Sequence, residues 1–234
     1  MKKYMLAIGI VAISCFTLIA CSSDKNEESK AHQESKADQK SNEGGEQINI
    51  PKNLIEDADT DPIEIKDQMG LTIGETGYAG RYIAKGELAI TLNGVEKTQA
   101  ISENETMKDD EFFLIGDFTF ENVSNDTVEV IRPDAVKASD ESAVINDEFD
   151  NGDLLGVGQG LGGDFVNDNN KIPDDGIINT VSLEPGEKID QKISISMRGK
   201  TDEYLIVFGF FDGNNRYYRN KVAWKFDHDQ LKGE

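Results

Sequence analysis

The stretch that decides the fold is Tyr204-Leu205-Ile206-Val207-Phe208-Gly209-Phe210-Phe211, followed by Asp212-Gly213-Asn214-Asn215. Behind it, Tyr218, Val222, Trp224 and Phe226 alternate with Lys221, Ala223 and Lys225. An uninterrupted apolar run of strand length suits a strand buried on both faces. Asp-Gly-Asn-Asn is turn chemistry, because glycine and asparagine accept the backbone angles of a tight hairpin. The alternation that follows has the period of two that a strand imposes. The three pieces together predict a β-hairpin.

Working outward, Ile189, Ile193, Ile195 and Met197 alternate with Asp190, Lys192, Ser194 and Ser196, the pattern of a strand with one wet face. Pro185-Gly186 marks a turn before it. Phe112, Leu114, Phe118 and Phe120 alternate with Phe113, Ile115, Asp117 and Thr119, predicting a largely buried strand. Further strands are expected near 71–74, 81–92, 127–131, 135–138 and 177–183. No stretch sustains apolar spacing at i, i+3, i+4 and i+7, and no internal repeat is present. About eight or nine short strands separated by turn signals predict an all-β antiparallel sandwich.

The N-terminus carries a different signal. Met1-Lys2-Lys3 precedes an uncharged apolar run, Leu6 to Ala20, which is the charged region and apolar region of a secretory signal. The run is short for a membrane span, which needs about 20 apolar residues. Leu18-Ile19-Ala20-Cys21 resembles the lipobox of bacterial lipoproteins. That resemblance implies diacylglyceryl transfer to the Cys21 thiol, cleavage before it and loss of residues 1–20. Cys15 leaves with the signal. Two acyl chains suffice for stable anchoring, so the expected location is the extracellular face of the cell membrane.

Residues 22–47 contain no Val, Ile, Leu, Phe, Tyr or Trp, and the first aromatic residue after Phe16 is Tyr78. Such a segment cannot bury enough apolar surface to offset its ordering entropy. The expected organisation is a signal peptide over 1–20, a lipidated cysteine and disordered polar tether over 21–64, and a β-domain over 65–234. A flexible tether of some 40 residues spans roughly 30–35 Å.

Composition limits the partners. The chain has 45 acidic and 24 basic residues, a formal charge of −21. Loss of the signal removes Lys2 and Lys3 and makes that charge more negative still. Nucleic acid and anionic headgroups are repelled, since their binding rests on Lys and Arg. A protein partner in the envelope or outside the cell is electrostatically permitted. With Cys21 lipidated and Cys15 lost, no disulfide framework is expected.

Three motifs carry a family resemblance. Residues 115–130 (IGDFTFENVSNDTVEV) resemble the signature strand and Asn-x-Ser turn of the telokin-like, immunoglobulin-like extracellular domain common in Gram-positive lipoproteins. Residues 182–197 (SLEPGEKIDQKISISM) resemble its Pro-Gly turn and following strand, and 204–210 its penultimate strand. The resemblance covers about 80–226 and implies an immunoglobulin-like β-sandwich of unknown function with no catalytic residues. The chain departs from the family between Ser139 and Gly176, where an acidic, glycine-rich segment is longer.

That segment is read as a long loop over 146–176, and long loops are often functional. It holds the calcium candidates Asp147, Asp150, Asp153, Asp164, Asp168, Asp174 and Asp175. Calcium takes 6–8 oxygen ligands, which carboxylates, amides and backbone supply. The EF-hand pattern fails: counting from Asp147, Phe149 holds the third place and Gly158 the twelfth. Gly156-x-Gly158-x-Gly160 lacks the strand, helix and Gly-Lys-Ser/Thr of a nucleotide loop. The histidines are His32, in the tether, and His228, past the last predicted strand, so neither a zinc cluster nor a catalytic triad is indicated. Tyr217 and Tyr218, beside Arg216 and Arg219, are a candidate exposed ligand patch. The expectation is a non-catalytic surface binding module. A calcium-dependent adhesive or structural domain is the alternative, and a wall-active hydrolase a weaker one.

Overall fold

A computed structural model describes residues 49–81, 86–131, 136–139, 159–173, 181–209, 211–212 and 215–233. The signal, Cys21 and the polar stretch to residue 47 lie outside them. In chain order the strands are β1 (Ile55–Asp57), β2 (Glu64–Ile65), β3 (Gln68–Leu71), β4 (Thr76–Gly80), β5 (Glu87–Thr98), β6 (Phe112–Asn122), β7 (Val128–Ile131), β8 (Val136–Ser139), β9 (Gln159–Val166), β10 (Val181–Leu183), β11 (Lys188–Arg198), β12 (Glu203–Phe208), β13 (Phe211–Asp212), β14 (Asn215–Arg216) and β15 (Val222–Asp227). Among the described residues the only helices are the short 3-10 turns Lys52–Leu54 and His228–Gln230, and none is long and apolar enough to cross a membrane.

Nine strands form one sheet in the order β3-β15-β12-β8-β9-β11-β6-β5-β4. Every pairing is antiparallel except β15 with β3, which is parallel. The all-β expectation holds: the sheet curls around its own apolar face into a near-barrel sandwich. The hairpin read from 204–226 is present as β12 and β15, with Tyr204 opposite Phe226 and Phe208 opposite Val222. The strand stops at Phe208, short of the end of the apolar run, because Gly209, with a φ of 94°, turns the chain.

β6 shows why the core sits where it does. Phe112, Leu114, Phe118 and Phe120 face the main core. Phe118 meets Phe208 edge-on at 5.3 Å and Trp224 at 6.1 Å, and both partners come from the hairpin strands. On the other face Phe113 and Ile115 join a second cluster with Ile101 and Val166. Further along that face Asp117 and Thr119 are half-buried. The Asn-x-Ser turn is built by Asn122, whose Oδ1 accepts from the Ser124 amide at 2.9 Å and whose Nδ2 donates to the Leu183 carbonyl at 2.9 Å. The Pro-Gly turn is also present: Glu187 N–H donates to the Glu184 carbonyl at 2.9 Å, with Gly186 at φ 77°.

The sheet closes largely through side chains, beside the backbone bond from Arg219 N–H to Gly80 C=O at 2.7 Å. The Gln68 amide accepts from Tyr78 N–H at 2.9 Å and donates to Tyr78 C=O at 2.8 Å, imitating a strand residue. Asn220 repeats the device one step on. Its Oδ1 accepts from Gly80 N–H at 2.9 Å, and its Nδ2 donates to Tyr78 C=O at 2.9 Å and Lys66 C=O at 3.2 Å. Trp224 Nε1 donates to Glu75 C=O at 2.8 Å. Both amides are buried.

Several expectations are corrected. The 146–176 segment is not loop throughout: Gln159–Val166 is β9, between β8 and β11. Gly160 serves close approach, since a Cβ on it would stand 2.4 Å from Met197 Sδ and 2.5 Å from the Ser196 carbonyl. The strand expected near 81–92 is present as β5, which begins at Glu87 and runs on to Thr98, and β4, ending at Gly80, precedes it. The stretch after Leu71 is a turn, with Glu75 N–H donating to Thr72 C=O at 3.0 Å. The folded body also begins before residue 65. Ile50 and Ile65 are buried against Ala89 and Val123, and Asn49 N–H reaches Val123 C=O at 3.4 Å.

Asn220→Ala leaves Gly80 N–H buried without its partner, while the Tyr78 and Lys66 carbonyls keep the Gln68 amide as donor. The expected loss is about 1–3 kcal/mol of unfolding free energy, read by urea denaturation. A loss no larger than that of Gln191→Ala, whose amide makes only contacts of 3.4 and 3.2 Å, would show that Asn220 does not hold the seam.

Candidate functional site

Three connections meet at one end of the sheet. The C-terminal end of β5 brings Lys97 and, just past it, Gln99. The chain before β6 brings Asp109, Asp110 and Glu111, with Phe112 at the base. The end of β11 brings Arg198, Gly199 and Lys200, and His228 follows β15. Together they line a groove of about 630 Å³. A second groove of about 400 Å³ shares Glu111 and Arg198 and continues to Met107, Gly162 and the exposed Leu161.

His228 is held firmly. Its N–H donates to Asp202 C=O at 2.8 Å, and it opens the 3-10 turn that Asp227 and Gln230 cap. Its Nδ1 lies 3.1 Å from the Tyr204 hydroxyl. Thr201 N–H donates to the same hydroxyl oxygen at 3.1 Å. Burial pushes the Tyr204 phenol above its ordinary value, so it keeps its proton. In the Nε2–H tautomer of His228, that proton goes to Nδ1 and Nε2–H remains as a donor. The groove therefore offers charges of both signs, an imidazole and a ring, the means to bind rather than an evident nucleophile.

The calcium candidates fall into two groups. Asp147, Asp150, Asp153, Asp174 and Asp175 lie outside the described residues. Asp164 sits on β9, where its backbone exchanges hydrogen bonds with the buried Ser194 hydroxyl, both at 3.1 Å. Burial holds its carboxyl above the ordinary value. Asp168 is exposed in the turn after β9, which Asn167 Oδ1 organises by accepting from Asn169 N–H at 2.9 Å and Lys171 N–H at 3.1 Å. The cation at that turn is the chain's own: Lys192 Nζ reaches Asn170 Oδ1 at 3.0 Å, Glu96 Oε1 at 3.4 Å and Asp168 C=O at 3.5 Å. Among the described residues no three His, Cys, Asp or Glu side chains gather as a metal would need.

The proposed exposed Tyr217–Tyr218 patch is not found. Tyr218 is fully buried and Tyr217 half-buried against the core. Tyr218 meets Phe208 edge-on at 5.7 Å, and Arg219 pairs with Glu87 at 2.8 Å. No sequence signal singled out Lys97, Asp109 to Glu111, Arg198 or Lys200, because they come together only when the connections converge.

No protein-family model and no curated protein matches the chain. Three solved structures overlap it in part. A candidate lipoprotein (ycdA) from Bacillus subtilis is 9% identical, over 71% of this chain and 40% of that one, with a TM-score of 0.41. This chain thus spans 40% of that protein's length. An uncharacterized β-sandwich protein from Clostridium difficile 630 is 16% identical, over 70% and 97%, at TM-score 0.37. The yjhA protein of Bacillus subtilis is 18% identical, over 66% and 98%, at 0.38. All three TM-scores are low, and none of these likenesses bears on what this chain does.

Two carboxylates beside Lys192 give opposite pH signatures. The Asn170 amide, donating at 2.7 Å, and then the Lys192 ammonium hold Glu96 below its ordinary value against the opposing effect of burial. Its contribution to stability is present above the ordinary value and lost as pH falls through the lowered one. Burial raises Asp117, although Lys192 offsets part of the effect. Asp117 therefore costs stability at neutral pH, and the cost disappears as pH falls. Asp117→Asn should raise Tm at about pH 7 and not at about pH 3, and Glu96→Gln should lower it at about pH 7 only. Thermal unfolding across that range checks both signs. Any calcium response of the chain should survive Asp164→Asn and Asp168→Asn. Its loss in Asp168→Asn would place an ion at the Lys192 turn after all.

Proposed function

We propose that the chain is a non-catalytic binding module, held at the outer face of the membrane by lipid on Cys21, whose groove beside His228 receives a protein of the envelope. The groove carries this reading. Its volume suits small-molecule sites, which run from about 300 to 1,000 Å³ but are mostly apolar with a few polar groups. Here every lining side chain is charged or polar save Phe112 and Gly199. Long charged side chains present apolar stems and ionic heads together. That combination suits a polypeptide surface carrying both signs of charge. The lipobox ending at Cys21 supports the location. The likeness of 115–130, 182–197 and 204–210 to the telokin-like lipoprotein domain supports the class.

Photo-crosslinking on whole cells tests the reading. Crosslinkers at Lys97 and Lys200 should give the same discrete adduct, and one at Lys188, on a different strand end, should not. Combined charge reversal, Arg198→Glu with Lys97→Glu, should weaken that adduct about three- to tenfold, the size of two lost exposed ionic contacts. An adduct indifferent to the reversal would remove the groove from the proposal. Cys21→Ser should release the chain into the medium, and continued membrane association would remove the anchor.

A further inference from the structure

Arg81 is the least accounted-for charge in the fold. It is 4% exposed, and its Nε and Nη1 are buried with no hydrogen-bond partner. Its guanidinium carbon lies 5.0 Å from the centroid of the Tyr218 ring. The backbone fixes this placement. Arg81 N–H donates to Gly86 C=O at 3.0 Å, extending the β4–β5 ladder, and Arg81 stands directly opposite Tyr218. Directly opposed residues share a face, so Arg81 follows Tyr218 toward the interior, where Tyr218 packs on Phe208.

The neighbouring ion pair lies on the other face. Glu87 stands opposite Gly80 in the ladder, one residue before Arg81, and successive side chains alternate between faces. Arg219 crosses that same face, its Nη2 only 2.6 Å from where a Cβ on Gly80 would be, and pairs with Glu87 at 2.8 Å. A ring face offsets only part of the cost of desolvating a guanidinium, and a buried cation ordinarily has an anion within reach.

We infer that Arg81 is the base of an oxyanion site where β4 meets the start of β5, taking a carboxylate or phosphate group on its unpartnered guanidinium N–H groups while the Tyr218 ring backs the cation. The guanidinium is a planar fork whose N–H groups match the geometry of both oxyanions. The chain's overall charge of −21 repels anions at long range. Recognition is therefore a short-range matter of hydrogen bonds and shape, and chloride does not replace the oxyanion.

The test uses the chain labelled with nitrogen-15 at arginine, titrated with inorganic phosphate and, separately, with acetate, against chloride at matched ionic strength. The Arg81 Nε resonance should shift saturably with phosphate, with acetate or with both. The arm that responds names the ligand chemistry. Thermal unfolding follows the same titrations, because a ligand of the folded state raises Tm with its occupancy. That rise should vanish in Arg81→Met and weaken in Arg81→Lys, which keeps the charge if the methionine variant does not fold. An unshifted Arg81 resonance up to about a hundred times the millimolar range of weak sites, or a Tm rise of equal size in Arg81→Met, would overturn the inference. The second outcome would be the general salting effect of phosphate on any folded chain.

Discussion

The fold depends on two side-chain amides standing in for a missing strand pairing. A curled sheet leaves its two edge strands with unpaired N–H and C=O groups, and buried groups of that kind must find partners. Here β3 and β15 make no ladder with β4, and the backbone meets only beyond it, where Arg81 bridges Tyr218 and Arg219 N–H donates to Gly80 C=O at 2.7 Å. Gln68 and Asn220 bridge the gap with one donor and one acceptor each. An amide side chain carries the same pair of groups as a peptide unit. The core behind the seam, with Phe118, Phe208 and Trp224 packed edge to face, is enclosed only because those edges meet.

How much of this was legible depended on the range over which the signal acts. β6, β11, β12 and β15 were readable because each carries its own period-two or continuous apolar pattern. The Asn122 and Gly186 turns were readable because their chemistry is local. β9 was not. Gly160, Gly162 and Gly163 look like loop residues, and only the approach of Met197 and the Ser196 carbonyl explains Gly160 in a strand. Tyr218 looked exposed because its flanking arginines are polar, although it lies on the face that turns inward. The packing of Ile50, Leu54, Ile55, Ile63 and Ile65 was not legible because these aliphatic residues are scattered and the aromatic residue they meet, Tyr78, comes later in the chain. The groove was invisible in sequence for the reason most sites on connections are: its residues share no segment.

The distribution of charge follows a similar logic. With 45 acidic residues against 24 basic ones, a cation is the scarcer partner, and the fold places several with care. Lys192 ties Glu96 to the turn after β9. Arg219 holds Glu87 across the β4–β5 edge. Lys225 and Glu203, at 3.1 Å, and Lys188 and Glu121, at 2.8 Å, pair across neighbouring strands. The last two are exposed enough to add little to stability. Their effect is to keep opposite signs in register where like charges would splay the strands.

The seam also sets when the molecule can finish folding. Asn220 and Trp224 meet Gly80, Tyr78 and Glu75 across separations of 140, 142 and 149 residues. Such contacts must overcome the entropy of closing a loop longer than half the chain, and loops of that length close late. Strands β4, β5 and β6 can pair as soon as they exist, yet their apolar face stays uncovered until β12 and β15 arrive. Among the described strands the last in the chain, β15, is thus the one that shuts the core. Until β12 and β15 are in place, Phe118 on β6 lacks the Phe208 and Trp224 rings that cover it.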